Sequence, residues 1–258
     1  MELFDSHAHY DDERFNEDRD EVIKDMYKQG VTKCINIGCD IETSKKAIEI
    51  AKKYDFIYAT CGIHPSEISQ TEDELWKMLD DIRNLVNLNK KVVAVGEIGL
   101  DYHWESDNKE MQKKAFIEQI KLANELNLPI SIHTRDAIDD TINILRNNKI
   151  NNGAILHCCP FNKELVRHGL ELGFYISFAG PVTFKNSKNA EEIVNMVPLD
   201  KILIETDSPY LAPEPVRGTR NDSRNIKYTA EKVANIKGMT LEEIAKITYD
   251  NAKRIFKI

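Results

Sequence analysis

Two histidines separated by one residue, His7-Ala8-His9, close the first apolar run of the chain. Side chains at i and i+2 of a strand share a face, so both imidazoles are able to aim at one point, which is half of a transition-metal site. An isolated His-x-His is more often structural, and its context carries the reading. His133 follows Ile130-Ser131-Ile132, and His157 follows Ala154-Ile155-Leu156, each a single imidazole at the end of an apolar run. Glu97 ends Val92-Val93-Ala94-Val95-Gly96, where an unpaired carboxylate would be costly to bury. Its two oxygens suit a bridge between cations, the alternative being a cap on the following helix. Asp207 and Glu205 close a late run, Ile202-Leu203-Ile204, and by the period of two they are predicted to share a face. Asp207 is suited to bind metal and accept a proton. Glu205, deeper, is suited to orient a ligand imidazole, or else forms an interior ion pair without catalytic effect. Four imidazoles and two carboxylates exceed what one tetrahedral ion needs, so a binuclear site and metal-assisted hydrolysis follow.

These residues require strands that end on a common rim. The pattern predicts strands at Leu3 to His7, Cys34 to Ile37, Phe56 to Gly62, Val92 to Ile98, Pro129 to His133, Ala154 to His157, Phe174 to Phe178 and Lys201 to Glu205. Their continuous apolar character suits a parallel sheet covered on both faces. Amphipathic helical stretches alternate with them. In one, Leu75, Met78, Leu79, Ile82, Leu85 and Val86 fall on a single face. Thr71 with Glu74, and Thr240 with Glu243, read as capping boxes, and Gly30 as a helix stop. Eight strand-then-helix units predict an α/β (β/α)₈ TIM-type barrel, one domain over residues 1–258, with a doubly wound open sheet as the alternative. In a barrel, five of the seven histidines (His7, His9, His64, His133 and His157) fall on the C-terminal rim.

The 258 residues carry 35 Lys plus Arg against 43 Asp plus Glu, a formal net charge of −8, which excludes a generally basic duplex-DNA clamp but not a local basic patch. No apolar stretch approaches a membrane span, and the first residues lack the basic and apolar regions of a secretory signal. Five cysteines without a CxxC pair argue against a disulfide framework and for buried strand thiols. The expected setting is cytoplasmic, with no membrane and no obligate protein partner.

Four stretches, Phe4-Asp5-Ser6-His7-Ala8-His9, Gly96-Glu97-Ile98-Gly99-Leu100-Asp101, Pro129-Ile130-Ser131-Ile132-His133-Thr134-Arg135 and Glu205-Thr206-Asp207-Ser208-Pro209-Tyr210, with Asn251-Ala252 near the end, together resemble the TatD family of metal-dependent deoxyribonucleases. The resemblance implies a TIM-type barrel with divalent metals, and hydrolysis of DNA phosphodiesters from a 3′ end. It implies His7, His9, Glu97, His133, His157 and Asp207 as ligands, and His64 beside the scissile phosphate. Single-stranded DNA or DNA ends are then the expected substrate, with RNA as a variant. The expected chemistry is in-line attack by a metal-activated hydroxide, with Asp207 taking the proton and Arg135 and His64 steadying the phosphate. Two divalent ions are expected. The imidazoles favour Zn²⁺, Mn²⁺, Fe²⁺ or Ni²⁺, with Mg²⁺ in a weaker, exchangeable position. Two stretches depart from the family pattern. Cys158-Cys159-Pro160-Phe161 lacks the usual small polar residues, which predicts lost phosphate contacts. Asn221 is followed by Ser223 where a proline is usual, which predicts a looser loop.

Competing readings are a related barrel hydrolysing another phosphoester, amide or ester, and a non-catalytic metal- or nucleic-acid-binding protein. A basic rim is expected from Arg217, Arg220, Arg224 and Lys227 beyond Asp207, with Arg135 and Lys185. Of the two tryptophans, Trp104 is the candidate to stack a base and Trp76 reads as helix packing. His168 reads as a helix-surface residue.

Overall fold

The computed structural model describes residues 1–104 and 106–258. Among them are eight strands, β1 (Leu3–Ala8), β2 (Val31–Asn36), β3 (Ile57–Cys61), β4 (Val92–Asp101), β5 (Ile130–Arg135), β6 (Ala154–Leu156), β7 (Tyr175–Phe178) and β8 (Ile202–Ile204). Every neighbouring pair is parallel, in chain order. The helices between them are α1 (Arg19–Lys28), α2 (Ile41–Lys53), α3 (Glu72–Leu88), α4 (Lys109–Glu125), α5 (Ile138–Asn147), α6 (Lys163–Glu171) and α7 (Ala190–Met196), with α8 (Ile226–Lys237) and α9 (Leu241–Phe256) after β8. The predicted barrel is the observed fold. Its seam is nearly closed by a bridge between Ala8 and Ser208, where the His9 N–H donates to the Ser208 carbonyl (2.7 Å) and the Asp207 N–H to the His7 carbonyl (2.9 Å).

Two apolar layers hold the barrel. One lies between the sheet and the helices, where Leu75, Leu79 and Ile82 of α3 are buried. The other joins residues from six strands, Phe4, Ile35, Val93, Ile155, Tyr175 and Leu203, to Ala252, Ile255 and Phe256 of α9. Phe4, Val93 and Leu203 lie near the starts of their strands, so α9 closes that end, and Phe4 stacks on Phe256 at 6.0 Å. The opposite mouth is left for ligands.

Local signals held with differences. Gly30 ends α1 with φ of 97°, and Thr240 with Glu243 forms a complete capping box. Thr71 caps α3 through the Glu74 N–H alone. β4 runs three residues beyond its predicted end because Gly99, at φ of 142°, pairs beside His133, whose carbonyl oxygen would lie 2.0 Å from any Cβ there. β8 stops at Ile204, and Asp207 takes a left-handed φ of 54°. A turn, and not the strand pleat, therefore delivers Asp207. Trp76 is 44% exposed on α3, so it is less a packing residue than expected. His168, expected on the helix surface, is buried on α6 and contacts the Arg146 guanidinium and Glu171 (3.1 Å). Among the described residues no helix is long and apolar enough to cross a membrane.

Candidate metal centre

The six side chains of the sequence analysis meet at the open mouth, five of them lining a cavity of about 790 Å³ with His7 buried beneath them. The His7 and His9 Nε2 atoms lie 3.1 Å apart. Asp207 Oδ1 sits 3.6 Å from the first and 3.3 Å from the second. Glu97 Oε2 lies 3.4 Å from His7 Nε2. The other Glu97 oxygen faces a different pair, with Oε1 2.9 Å from His133 Nδ1 and 2.7 Å from His157 Nε2. His7, His9 and Asp207 form one group able to hold an ion, and Glu97, His133 and His157 another, with donor atoms within 4.8 Å of one another in each.

The nitrogens turned away from this centre are mostly occupied. Glu205 Oε1 is 3.2 Å from His157 Nδ1 and also accepts the Cys158 N–H at 2.7 Å. Asp101 Oδ2 is 3.0 Å from His133 Nε2, while its Oδ1 accepts the N–H groups of His103 (2.9 Å) and Trp104 (3.1 Å). Cys39 Sγ lies 3.8 Å from His9 Nδ1. Carboxylates that hold the far nitrogen of an imidazole fix its ring and tautomer, as metal sites require. The donor chemistry therefore fits divalent metal: nitrogen-rich, buried, and converging on two points that share one carboxylate.

Burial pushes the Glu97 carboxyl up, but the surrounding imidazoles of His157, His64 and His7 and the contact with His133 outweigh it and hold Glu97 well below the usual range. Asp207 is also lowered, because His9 and His7 outweigh its burial. Both are ionised near neutrality. His64 is pushed down to about 3, chiefly by burial. Its Nδ1 accepts the Ser66 N–H (3.1 Å), so the neutral ring carries its proton on Nε2, which lies 3.7 Å from Glu97 Oε1. It therefore structures the loop and faces the site at once.

Arg135 is not at the centre. It is exposed on the rim, its guanidinium 5.3 Å from the Trp104 ring. The basic rim expected after β8 is not part of the cavity lining. Arg220 pairs with Asp18 (2.6 Å), Arg224 with Asp222 and Asp25 (2.8 Å each), and Arg217 covers Phe184. The expected looser loop is instead fastened. Ser223 Oγ donates to Asp5 Oδ2 (2.6 Å), and Asn221 Nδ2 donates to the carbonyls of Thr206 (2.9 Å) and Tyr210 (2.8 Å). Cys158, whose N–H is spent on Glu205, lines the cavity with Pro160.

Asp101 and Cys39 are absent from the sequence-derived set. Asp101 was within reach, because 97, 99 and 101 share a strand face once β4 is extended. Nothing in the sequence marks Cys39 apart from its place after β2.

A family model described as "TatD related DNase" matches residues 4–257. The chain is 47% identical to the uncharacterized metal-dependent hydrolase YabD of Bacillus subtilis, over 99% of both chains. It is 38% identical to the uncharacterized metal-dependent hydrolase YcfH of Escherichia coli, covering 100% of this chain and 97% of the relative. The crystal structure of YJJV, a TatD homologue from Escherichia coli, superposes with a TM-score of 0.92 at 25% identity, over 99% of this chain and 98% of that one. With the barrel, the shared-carboxylate centre and these likenesses in agreement, the chain belongs to the TatD family and is a metal-dependent hydrolase.

Proposed function

We propose that this hydrolase is a deoxyribonuclease that removes nucleotides from the 3′ end of single-stranded DNA or of exposed DNA ends, without an obligate protein partner. The observation that carries the reading is Glu97, one buried carboxylate whose two oxygens each face a separate pair of imidazoles. That arrangement suits two cations a few ångströms apart, the geometry that serves both the attacking and the leaving oxygen of a phosphodiester. When bound, divalent cations supply Lewis acidity toward water and a phosphoryl oxygen. The nitrogen-rich donors favour Zn²⁺, Mn²⁺, Fe²⁺ or Ni²⁺, with Mg²⁺ able to support activity from a weaker position.

The protein's own groups have separate tasks. Asp207, ionised and partly open to the cavity, accepts the proton of the attacking water. His64 offers its Nε2–H to a phosphate oxygen. Glu205 and Asp101 hold the His157 and His133 rings so that their inward nitrogens stay aimed at Glu97. All five cysteines are free thiols, in keeping with a cytoplasmic setting.

The test is turnover of end-labelled single-stranded DNA and RNA across a metal series, beside amide and ester substrates. The expected result is a ladder of products from 3′-terminal removal, lost in Asp207→Asn, with DNA preferred over RNA. Internal fragments, or turnover confined to amides or esters, would reject the proposal.

A further inference from the structure

The two sides of the cavity mouth differ in chemistry. Trp104 and Arg135 stand after β4 and at the end of β5, while Tyr210 and residues 11–14 follow β8 and β1, which in an eight-stranded ring is the opposite side. On the first side Trp104 is 69% exposed, Arg135 covers one ring face, and the His103 ring meets the indole edge-on at 4.7 Å. Arg135 has no carboxylate partner among the described residues. On the other side Arg14 also covers an aromatic ring, that of Tyr210 at 4.2 Å. It is spent there, held by both oxygens of Asp12 (2.8 and 2.7 Å), with Asp11 and Glu13 beside it. Among the described residues, one wall thus offers an open ring with a cation that no carboxylate holds, and the opposite wall presents net negative charge.

The open ring is tied to the metal centre. Asp101 accepts the Trp104 backbone N–H through Oδ1 and faces His133 Nε2 through Oδ2. One carboxylate therefore holds both a proposed ligand and the backbone from which the indole projects, so the ring stands beside the centre. A ligand that joins a planar π-face to an adjacent negative charge matches this pair, and a nucleotide has both.

We infer that Trp104 and Arg135 form a nucleotide subsite, in which the base next to the cleaved position stacks on the indole and its phosphate pairs with the guanidinium. This rests on the nuclease reading above and adds the direction of the strand to it. The strand body lies over the β4 and β5 rim. The residue to be released points toward the wall of Asp11, Asp12, Glu13 and Arg14, whose net negative charge repels any continuation of the phosphate chain.

The test uses the full chain with Trp76→Phe, which leaves Trp104 as the only tryptophan. Metal-free protein in chelator is titrated with a thymidine hexanucleotide, and with tripolyphosphate as an anion without bases. The hexanucleotide is expected to quench Trp104 fluorescence saturably, Arg135→Gln to weaken that binding about tenfold, and tripolyphosphate to leave the fluorescence unchanged. In the metal-loaded enzyme, Trp104→Ala is expected to raise KM for the oligonucleotide on the order of tenfold or more, with kcat within about twofold. Trp104→Phe is expected to restore most of the loss. An unquenched Trp104, equal quenching by tripolyphosphate, or an unaltered KM in Trp104→Ala overturns the subsite. If the parent enzyme proves inactive on DNA, the nuclease reading fails, and the fluorescence titration still decides the subsite.

Discussion

The two imidazole pairs that share Glu97 are built by different means. His7 lies in β1 and His9 one residue past its end, its N–H held by the Ser208 carbonyl, so backbone geometry brings their Nε2 atoms to 3.1 Å. Their outer nitrogens have little support. Among the described residues His7 Nδ1 is buried without a hydrogen-bond partner, and His9 Nδ1 has the Cys39 thiol at 3.8 Å. His133 and His157 come from separate strands, and a carboxylate holds each from outside, Asp101 at 3.0 Å and Glu205 at 3.2 Å. Backbone geometry orients the first pair, whereas ionised side chains orient the second. The second pair is therefore the one that distant substitutions can disturb.

Glu97→Ala removes the element common to both pairs and tests whether they form one centre. Bound metal is expected to fall from about two ions per chain toward none, with turnover lower by on the order of 10³-fold. Elemental analysis after equilibrium dialysis checks it, and two ions retained at parental affinity would separate the pairs.

Asp101→Asn and Glu205→Gln address the second pair alone. Each is expected to weaken one metal position about 10- to 100-fold and leave the other unchanged. Calorimetric titration that showed both positions weakened equally would erase the contrast between backbone and carboxylate.

The depressed Asp101 carboxyl gives the contrast a pH signature. Burial raises it, but the contacts with His133 and with the Trp104 and His103 N–H groups bring it down to about 2, below its ordinary 3.8. A carboxyl lowered on folding stabilises the native state fully above the unfolded value, and that contribution is lost as pH falls through the folded value. In acid unfolding of metal-free protein followed by circular dichroism, the stability gap between the parent and Asp101→Asn should therefore close between about pH 4 and pH 2. A gap that persists at pH 2 would assign it to packing.

Cys39→Ala, beside His9, is expected to have the smallest effect, below about fivefold on metal affinity, because a thiol is a weak partner at that distance. A larger loss would place Cys39 among the ligands, which its position within 3.9 Å of Glu97 Oε2 also permits.

Much of the fold was legible because each apolar run reports its own burial. Val92 to Val95 needs cover on both faces, and eight such runs alternating with helical periods leave few topologies. The six clustered side chains were legible for a related reason. A charged or imidazole group closing an apolar strand has to meet a partner, and parallel strands bring their ends together. The extension of β4 was not legible, because it depends on how closely the His133 carbonyl approaches Gly99, a contact across strands. Asp101 was missed with it. The want of a proline predicts a loose loop around Ser223, yet that serine reaches Asp5, 218 residues away along the chain.

By itself the order of amino acids determined which groups are able to do chemistry and which strand end each one occupies, since burial pattern and periodicity are local properties. Only the closed barrel decided which oxygen of Glu97 faces which imidazoles, which arginines are spent on carboxylates, and which wall of the mouth is acidic. Those depend on distances between residues remote in the chain, and such distances exist only once the strands have closed into a ring.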